Sequence, residues 1–169
     1  MDGKDHVMFS KKSDEWETPK SLYDKLNEEF HFTLDAAATL KNSLCAECFT
    51  KEMIALVLNW NYNPSNVVFL NPPYGQISKF IQKAYKESQK GTTVVCLIPV
   101  RSDTRYWHEY CMKALEIRLI KGRLKFNNRQ LPSYKEDMSP KLSPAPFPSC
   151  IVIFKPGIYI PTISSFLQQ

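Results

Sequence analysis

The chain has 169 residues and a formal net charge of +5. This length suits one domain with its own core and is too short for a catalytic domain plus a large recognition domain. We therefore expect a single domain over residues 1–169, with residues 1–14 flexible. No apolar run approaches the roughly 18 residues that a membrane span needs, and the polar N-terminus lacks the apolar core of a secretory signal. These features predict a cytoplasmic protein without a membrane partner.

The five cysteines are an odd number in a chain that shows no export signal, which argues against a disulfide framework. Cys45 and Cys48 form one CxxC pair, but there is no second pair, and the histidines are not spaced like zinc ligands. No metal site is expected. Cys96 and Cys150 lie in apolar runs and are predicted to be small core residues.

The first predicted element is a helix. Apolar residues recur in it at three- and four-residue spacing, at Leu22, Tyr23, Leu26 and Phe30. Thr18 is placed to cap this helix, with Pro19 in its first turn.

A short strand follows at residues 32–34. It delivers Asp35 to a loop of small residues, Ala36 to Ala38, and small residues allow a ligand to approach the backbone closely. Residues 42–50 are weakly patterned and are predicted to hold a second strand near Cys48 and Phe49.

The apolar run 67–70 predicts a buried strand that ends in Asn71-Pro72-Pro73-Tyr74-Gly75. Two prolines fix the backbone and supply no N–H, so the loop keeps carbonyl groups available as acceptors. An Asn amide suits the edge of adenine, and an aromatic ring is a common platform for an unstacked base. A proline-stiffened turn, with Tyr74 as packing, would explain the dipeptide Pro-Pro alone. The whole pentapeptide after a buried strand favours a loop that binds a planar amine.

The remaining elements continue an alternation of helices and strands. They are a helix over 77–89, a buried strand over 92–99, a helix capped by Ser102 or Asp103 and running to Ala114, and a strand over 116–120. Prolines break the pattern between 142 and 148, and residues 149–154 predict a final strand, antiparallel at the end of the sheet. The pattern is typical of an α/β fold with a mostly parallel sheet, whose ligands bind at the carboxyl ends of the strands.

Several landmarks occur in one order along the chain: WETP at 16–19, LDAAAT at 34–39, CFTKE at 48–52, FLNPPYG at 69–75, LIPVRSDTRYWH at 97–108, IKGRLKF at 120–126 and APFPSCIVIF at 145–154. In this order they resemble the small phage-type DNA N6-adenine methyltransferases, the phage Dam family. The resemblance covers residues 16–156. It implies a Rossmann-like fold and an enzyme that uses S-adenosylmethionine to methylate adenine in DNA.

The same resemblance assigns cofactor-binding residues to the first half of the chain: Trp16, Thr18, Pro19, Asp35, Ala36, Ala37, Phe49, Thr50 and Glu52. In this assignment Asp35 lies beside the methionine amino group, and the residues from Phe49 to Glu52 lie beside the ribose and adenine. The chain departs from many methyltransferases in having no glycine in the loop after Asp35.

The catalytic hypothesis centres on Asn71, Pro72, Pro73 and Tyr74. The Asn71 side-chain oxygen and the Pro72 carbonyl would accept the two protons of the adenine amine, whose lone pair is otherwise delocalised into the ring. The target base would be flipped out of the duplex and stacked on Tyr74. Its other face would meet Phe126 or Phe147.

Basic residues crowd into the segment 118–129, namely Arg118, Lys121, Arg123, Lys125 and Arg129. A solvated face and a DNA contact explain this crowding equally well. The phosphate-contact candidates across the chain are Arg101, Arg105, Arg123 and Lys125.

Two rival functions remain open from the sequence. The NPPY motif also serves methyltransferases that act on RNA bases or protein glutamine. A nucleic-acid-binding module without catalysis is the other alternative. The sequence specifies neither a recognition site nor an oligomeric state.

Overall fold

The computed structural model describes residues 17–50, 54–127 and 142–167. The flexibility expected for residues 1–14 and the roles predicted for Trp16 and Glu52 lie outside these described residues. Within them there are three α-helices, Lys20–Phe30 (α1), Ile77–Ser88 (α2) and Arg105–Glu109 (α3). None of the three is long and apolar enough to span a bilayer.

The described residues form nine strands. In chain order these are Leu34–Asp35 (β1), Glu47–Cys48 (β2), Val67–Leu70 (β3), Thr93–Pro99 (β4), Glu116–Ile120 (β5), Lys125–Asn127 (β6), Leu142–Pro144 (β7), Ser149–Phe154 (β8) and Thr162–Phe166 (β9). Seven of them make one sheet in the order β2-β1-β3-β4-β8-β5-β9, and β6 pairs with β7 in a separate antiparallel ribbon. The strands predicted at 67–70, 116–120 and 149–154 are confirmed with the same bounds.

The sheet is mostly parallel, as predicted, but its antiparallel strand is not terminal. Strand β8 runs antiparallel to both of its neighbours, β4 and β5, and therefore lies inside the sheet. All six of its residues are buried, and a strand with two buried faces belongs in the middle of a sheet. The edge position is taken instead by β9, which pairs parallel with β5 and which the sequence analysis did not predict.

The core lies on both faces of this sheet. Along β4, Val94, Cys96 and Ile98 point into one cluster, whereas Val95 and Leu97 point into the other. Helices α2 and α3 cover the first face, and α1 covers the second. Because successive side chains of a strand alternate between faces, this three-layer arrangement explains the continuous apolar sequence of β4.

The helix starts differ from the sequence expectation. Pro19, not Thr18, is the N-cap of α1, and the Pro19 carbonyl accepts hydrogen bonds from the N–H groups of Leu22 and Tyr23, both at 3.1 Å. The Thr18 hydroxyl contacts a different residue, as described below.

Helix α3 is also shorter than predicted. It starts after Thr104 with no side-chain cap, so neither Ser102 nor Asp103 caps it, and it ends at Glu109. Tyr110 leaves helical geometry with φ −126° and ψ −52°, and a separate 3-10 turn follows at Cys111–Lys113.

Candidate active site

Three strand ends meet at one edge of the sheet. Strand β1 lies between β2 and β3, and the chain forms β2 on one side of β1 before it crosses to form β3 on the other. All three strands are parallel, so their carboxyl ends share this edge. A reversal of strand order of this kind leaves a crevice at the carboxyl ends, where α/β sheets bind their ligands.

A cavity of about 470 Å³ occupies this edge. Its volume falls within the range of roughly 300–1,000 Å³ that is usual for small-molecule sites. Eight residues predicted from the sequence to be functional line it: Thr18, Asp35, Ala37, Phe49, Thr50, Asn71, Pro72 and Pro73. They come from four separate stretches of the chain, so the fold brings the predicted cofactor half and the NPPY loop to one cavity.

Asp35 is the buried charge of this cavity. It is the last residue of β1, and only 5% of its surface is exposed. Burial raises the pKa of its carboxyl group to about 6, although backbone N–H groups of Ala37 and Leu44 oppose the rise by hydrogen bonding. A carboxylate held in such a place is stabilised by a cationic group that binds next to it.

The loop after Asp35 needs no glycine. The side chains of Ala36 and Ala38 are buried and Ala37 lines the cavity. None of these three alanines has a positive φ, so an L side chain is accommodated without strain. The Ala38 N–H donates to the Phe49 carbonyl at 3.2 Å, which ties this loop to the end of β2.

The end of β2 supplies one aromatic wall. Phe49 is half-buried, and its ring centroid lies 6.1 Å from that of Tyr62. The Phe49 N–H donates to the Asp35 carbonyl at 2.8 Å, so the aromatic ring and the carboxylate are held next to each other by the backbone. Thr50 follows and is buried.

The NPPY loop forms another wall. The Asn71 side-chain Nδ2 donates a hydrogen bond of 3.0 Å to the Thr18 hydroxyl. Pro73 has extended geometry, and its carbonyl accepts the Gln76 N–H at 2.9 Å, which begins the 3-10 turn Tyr74–Gln76. Among the described residues, no N–H or O–H donates to the Pro72 carbonyl. Pro72 itself is buried and lines the cavity.

Tyr74 is placed differently from the three residues before it. It is not among the described residues that line the cavity, and its half-buried ring packs against the core cluster on the α2 face. Burial raises the pKa of its hydroxyl to about 12, so this side chain is neutral at physiological pH.

Phe126 and Phe147, the two aromatic residues predicted to stack on the second face of the base, differ in exposure. Phe126 is only 1% exposed and packs in the core on the α1 face, so its ring has no open face on which a base could stack. Phe147 is partly exposed, and the Arg101 guanidinium lies over its ring at 5.3 Å. Since Val100 donates to the Pro148 carbonyl at 2.7 Å, this pair lies at the carboxyl end of β4.

The basic residues have unequal surroundings. Arg118 is bound by Glu29 at 2.6 Å and Glu116 at 3.0 Å, and these carboxylates raise the pKa of its guanidinium. Arg118 therefore has a structural role, because it joins β5 to α1 through the Glu29 carboxylate. Arg123 donates to the Pro146 carbonyl at 2.8 Å. Lys125 is exposed.

Arg105 is also exposed and pairs with Glu109 one helical turn later. Arg129 and its neighbours lie outside the described residues.

Sequence reasoning missed a buried carboxylate that supports the cavity wall. Glu87 of α2 is fully buried and pairs with Lys83 at 2.7 Å and Lys90 at 2.8 Å. Its second oxygen accepts the Trp60 N–H at 3.1 Å, and the Trp60 indole N–H donates to the Ala55 carbonyl at 2.9 Å. Burial raises the pKa of Glu87, but the two lysines outweigh it and the net shift is downward.

The spacing of Lys83, Glu87 and Lys90 was the available sequence signal. It indicates ion pairs on a helix, and by itself it predicts a solvated face. Ala55, which this network holds in place, lines the cavity together with Ile54 and Leu56. The sequence analysis also did not identify the other residues of the cavity wall, which are Glu17, Lys20, Thr39, Lys41, Asn42, Ser43, Leu44, Phe69, Gln76 and Phe80.

Two comparisons with known proteins bear on this site. The family model described as DNA N-6-adenine-methyltransferase (Dam) matches residues 6–166. A DNA N-6-adenine-methyltransferase of Escherichia phage T1 is 30% identical over 112 residues, which is 66% of this chain and 46% of that protein. The match therefore spans less than half the length of this relative.

Proposed function

Because the chain belongs to the DNA N-6-adenine-methyltransferase (Dam) family, we propose that it transfers a methyl group from S-adenosylmethionine to the N6 amine of adenine in DNA. The observation that carries the proposal is the meeting of Asp35, Phe49 and the NPPY loop at one cavity. The phage-encoded relative supports DNA as the partner and the host cytoplasm as the location. A mostly parallel sheet with its cavity at the switch of strand order is compatible with a Rossmann-like methyltransferase fold.

The chemistry of the cavity suits a cofactor that has both a cationic end and a flat ring system. Asp35 supplies a buried carboxylate for an ammonium group, since burial has raised its pKa to about 6 and the backbone N–H groups of Ala37 and Leu44 only partly oppose this rise. Phe49, Ile54 and Leu56 supply apolar surface for a ring. Thr50 adds a buried hydroxyl. The cofactor would provide an activated methyl group on a sulfonium centre.

The acceptor side of the reaction needs two hydrogen-bond acceptors. The adenine amine is a poor nucleophile because its lone pair is delocalised into the ring. If the Asn71 side-chain oxygen and the Pro72 carbonyl accept hydrogen bonds from its two N–H groups, electron density would return to the nitrogen and its lone pair would point toward the methyl group. The N–C bond would form as the methyl–sulfur bond breaks, and the methylated nitrogen would then release one proton to solvent. Positioning of this kind contributes many powers of ten to a rate and requires no histidine base.

The target base must leave the duplex to reach this loop, at an energy of about a few kcal/mol. Tyr74 follows the two prolines and is the proposed stacking partner, and for this its half-buried ring must turn from the core cluster on the α2 face toward the cavity. Phe147, held under Arg101, is the second aromatic side chain near the carboxyl edge. The proposed phosphate contacts are Arg101, Arg105, Arg123 and Lys125, which would position the DNA without specifying its sequence.

The test follows the methyl group from tritiated S-adenosylmethionine into oligonucleotides with and without adenine. We expect label only in the adenine-containing duplex, and loss of at least a hundredfold in rate for Asn71→Ala with cofactor binding retained in calorimetry. Asn63→Ala, which removes an exposed amide that does not line the cavity, is the matched control and should match the wild type. Label in RNA or in a glutamine peptide in preference to DNA would refute the proposed acceptor, and full activity of Asn71→Ala would refute the mechanism.

A further inference from the structure

The hydroxyl of Thr18 and the side chain of Asn71 are joined across the cavity edge. They are 53 positions apart in the chain, yet Asn71 Nδ2 lies 3.0 Å from Thr18 Oγ1. Thr18 is only 8% exposed, and both residues line the cavity. The hydroxyl sits directly before the N-cap of α1 but makes no capping bond. The sequence predicts that the Thr18 hydroxyl caps the helix, whereas in the structure it accepts a hydrogen bond from Asn71.

The two ends of an Asn amide have opposite hydrogen-bonding character. The nitrogen donates and the oxygen accepts, and a half-turn of the side chain exchanges their positions. An amine substrate supplies protons, so it needs the oxygen facing it and is repelled by the nitrogen. Because Asn71 Nδ2 is directed to Thr18, the oxygen lies on the other side of the same planar group.

We propose that Thr18 is a positioning residue that sets the orientation of the Asn71 amide, so that its oxygen faces the target amine. The inference rests on the proposed function for its catalytic consequence, but the hydrogen bond itself has consequences that do not depend on methyl transfer. Thr18 is buried and directly precedes the N-cap of α1, and α1 packs on the sheet through Leu22, Tyr23 and Leu26. In the arrangement seen here the hydroxyl accepts from Nδ2, and the positioning role requires that this arrangement be kept when the substrate is bound.

Thr18→Val keeps the shape of the side chain and removes the hydroxyl, whereas Thr18→Ser keeps the hydroxyl. We expect Thr18→Val to lower kcat roughly tenfold, as for the loss of one hydrogen bond, with KM for DNA changed less than twofold. Thr18→Ser should recover most of the rate. Thr162→Val, on the exposed edge strand β9, is the matched control and should have wild-type kinetics.

A second readout needs no turnover. In a ¹⁵N spectrum the side-chain amide signals of Asn71 are those that disappear in Asn71→Ala. We expect one of the two proton signals to lie downfield in the wild type and in Thr18→Ser, and to move upfield in Thr18→Val. An unchanged Asn71 signal in a folded Thr18→Val protein would overturn the inference, even if no DNA methylation were found and the proposed function itself failed.

Measuring kcat and cofactor affinity for the Thr18 variants distinguishes a role in positioning Asn71 from a role in binding the cofactor at the same cavity. If Thr18→Val weakened S-adenosylmethionine binding in calorimetry while kcat at saturation stayed at the wild-type level, Thr18 would be a binding residue only and the inference would be wrong. The same holds if Thr18→Ser were as slow as Thr18→Val. A drop in kcat with unchanged cofactor affinity, rescued by serine, supports the positioning role.

Discussion

Replacing Asp35 by asparagine should stabilise the ligand-free protein while it weakens cofactor binding. The Asp35 carboxyl is 5% exposed, and its pKa is raised from 3.8 to about 6 by burial. A shift of about 2 units corresponds to about 3 kcal/mol at roughly 1.4 kcal/mol per unit. This free energy is the amount by which the charged carboxylate destabilises the folded state. Asparagine has a similar shape and no charge, so the variant avoids it.

The effect depends on pH in a defined direction. Below pH about 3.8 the carboxyl is protonated in both the folded and the unfolded chain, and the wild type carries no penalty. The penalty grows as the pH rises, reaches roughly half of its full value at pH 5, and is complete at about 3 kcal/mol well above pH 6. At pH 8 the Asp35→Asn variant should therefore exceed the wild type by up to this amount, or roughly 6–12 °C in Tm for a chain of this size.

Urea unfolding at pH 5 and pH 8, with and without S-adenosylmethionine, measures both consequences. In the wild type the affinity for the cationic cofactor should fall up to about tenfold per pH unit below pH 6, as Asp35 becomes protonated. The asparagine variant should bind more weakly at pH 8 and lack this pH dependence. Asp24→Asn, at a half-exposed surface ion pair with Lys20, is the control and should change stability by less than about 1 kcal/mol.

Two results would refute this reasoning. One is an Asp35→Asn protein that is less stable than the wild type at pH 8. The other is a variant whose cofactor affinity keeps the wild-type slope with pH, because Asp35 would then not be the group that contacts the cation.

Two further perturbations test the rest of the site. Tyr74→Ala should lose a stacking contact worth about 1–3 kcal/mol, raising KM for DNA roughly 10- to 100-fold, whereas Tyr74→Phe should be mild; equal damage in both would point to the hydroxyl. Glu87→Gln should lower the free energy of unfolding by roughly 2–3 kcal/mol, because it removes the buried charge that binds Lys83, Lys90 and the Trp60 N–H. Since the pKa of Glu87 is lowered in the folded state, the difference from the wild type should shrink as the pH falls below about 4.5; an unchanged urea midpoint at pH 7 would contradict this role.

The regular elements were largely predictable because their signals are local. The apolar run of β4 and the spacing of Phe80, Ile81, Ala84 and Tyr85 in α2 are patterns of ten residues or fewer, and the structure confirms a strand and a helix there. Strand β9 escaped prediction because Thr162–Phe166 has two serines and only part of an apolar face. Its pairing with β5 is a tertiary interaction that no local pattern signals.

The sequence by itself determined the alternation of helices and strands, the NPPY loop at the end of β3, and the family landmarks. Each of these depends on the order and chemistry of neighbouring residues. Only the tertiary structure decided that β8 enters the middle of the sheet, that Phe126 is buried while Phe147 stays partly exposed, and that the Thr18 hydroxyl serves Asn71. The physical reason is that partners distant in the chain are chosen by the packing of the sheet and by burial, and these depend on every layer of the fold together.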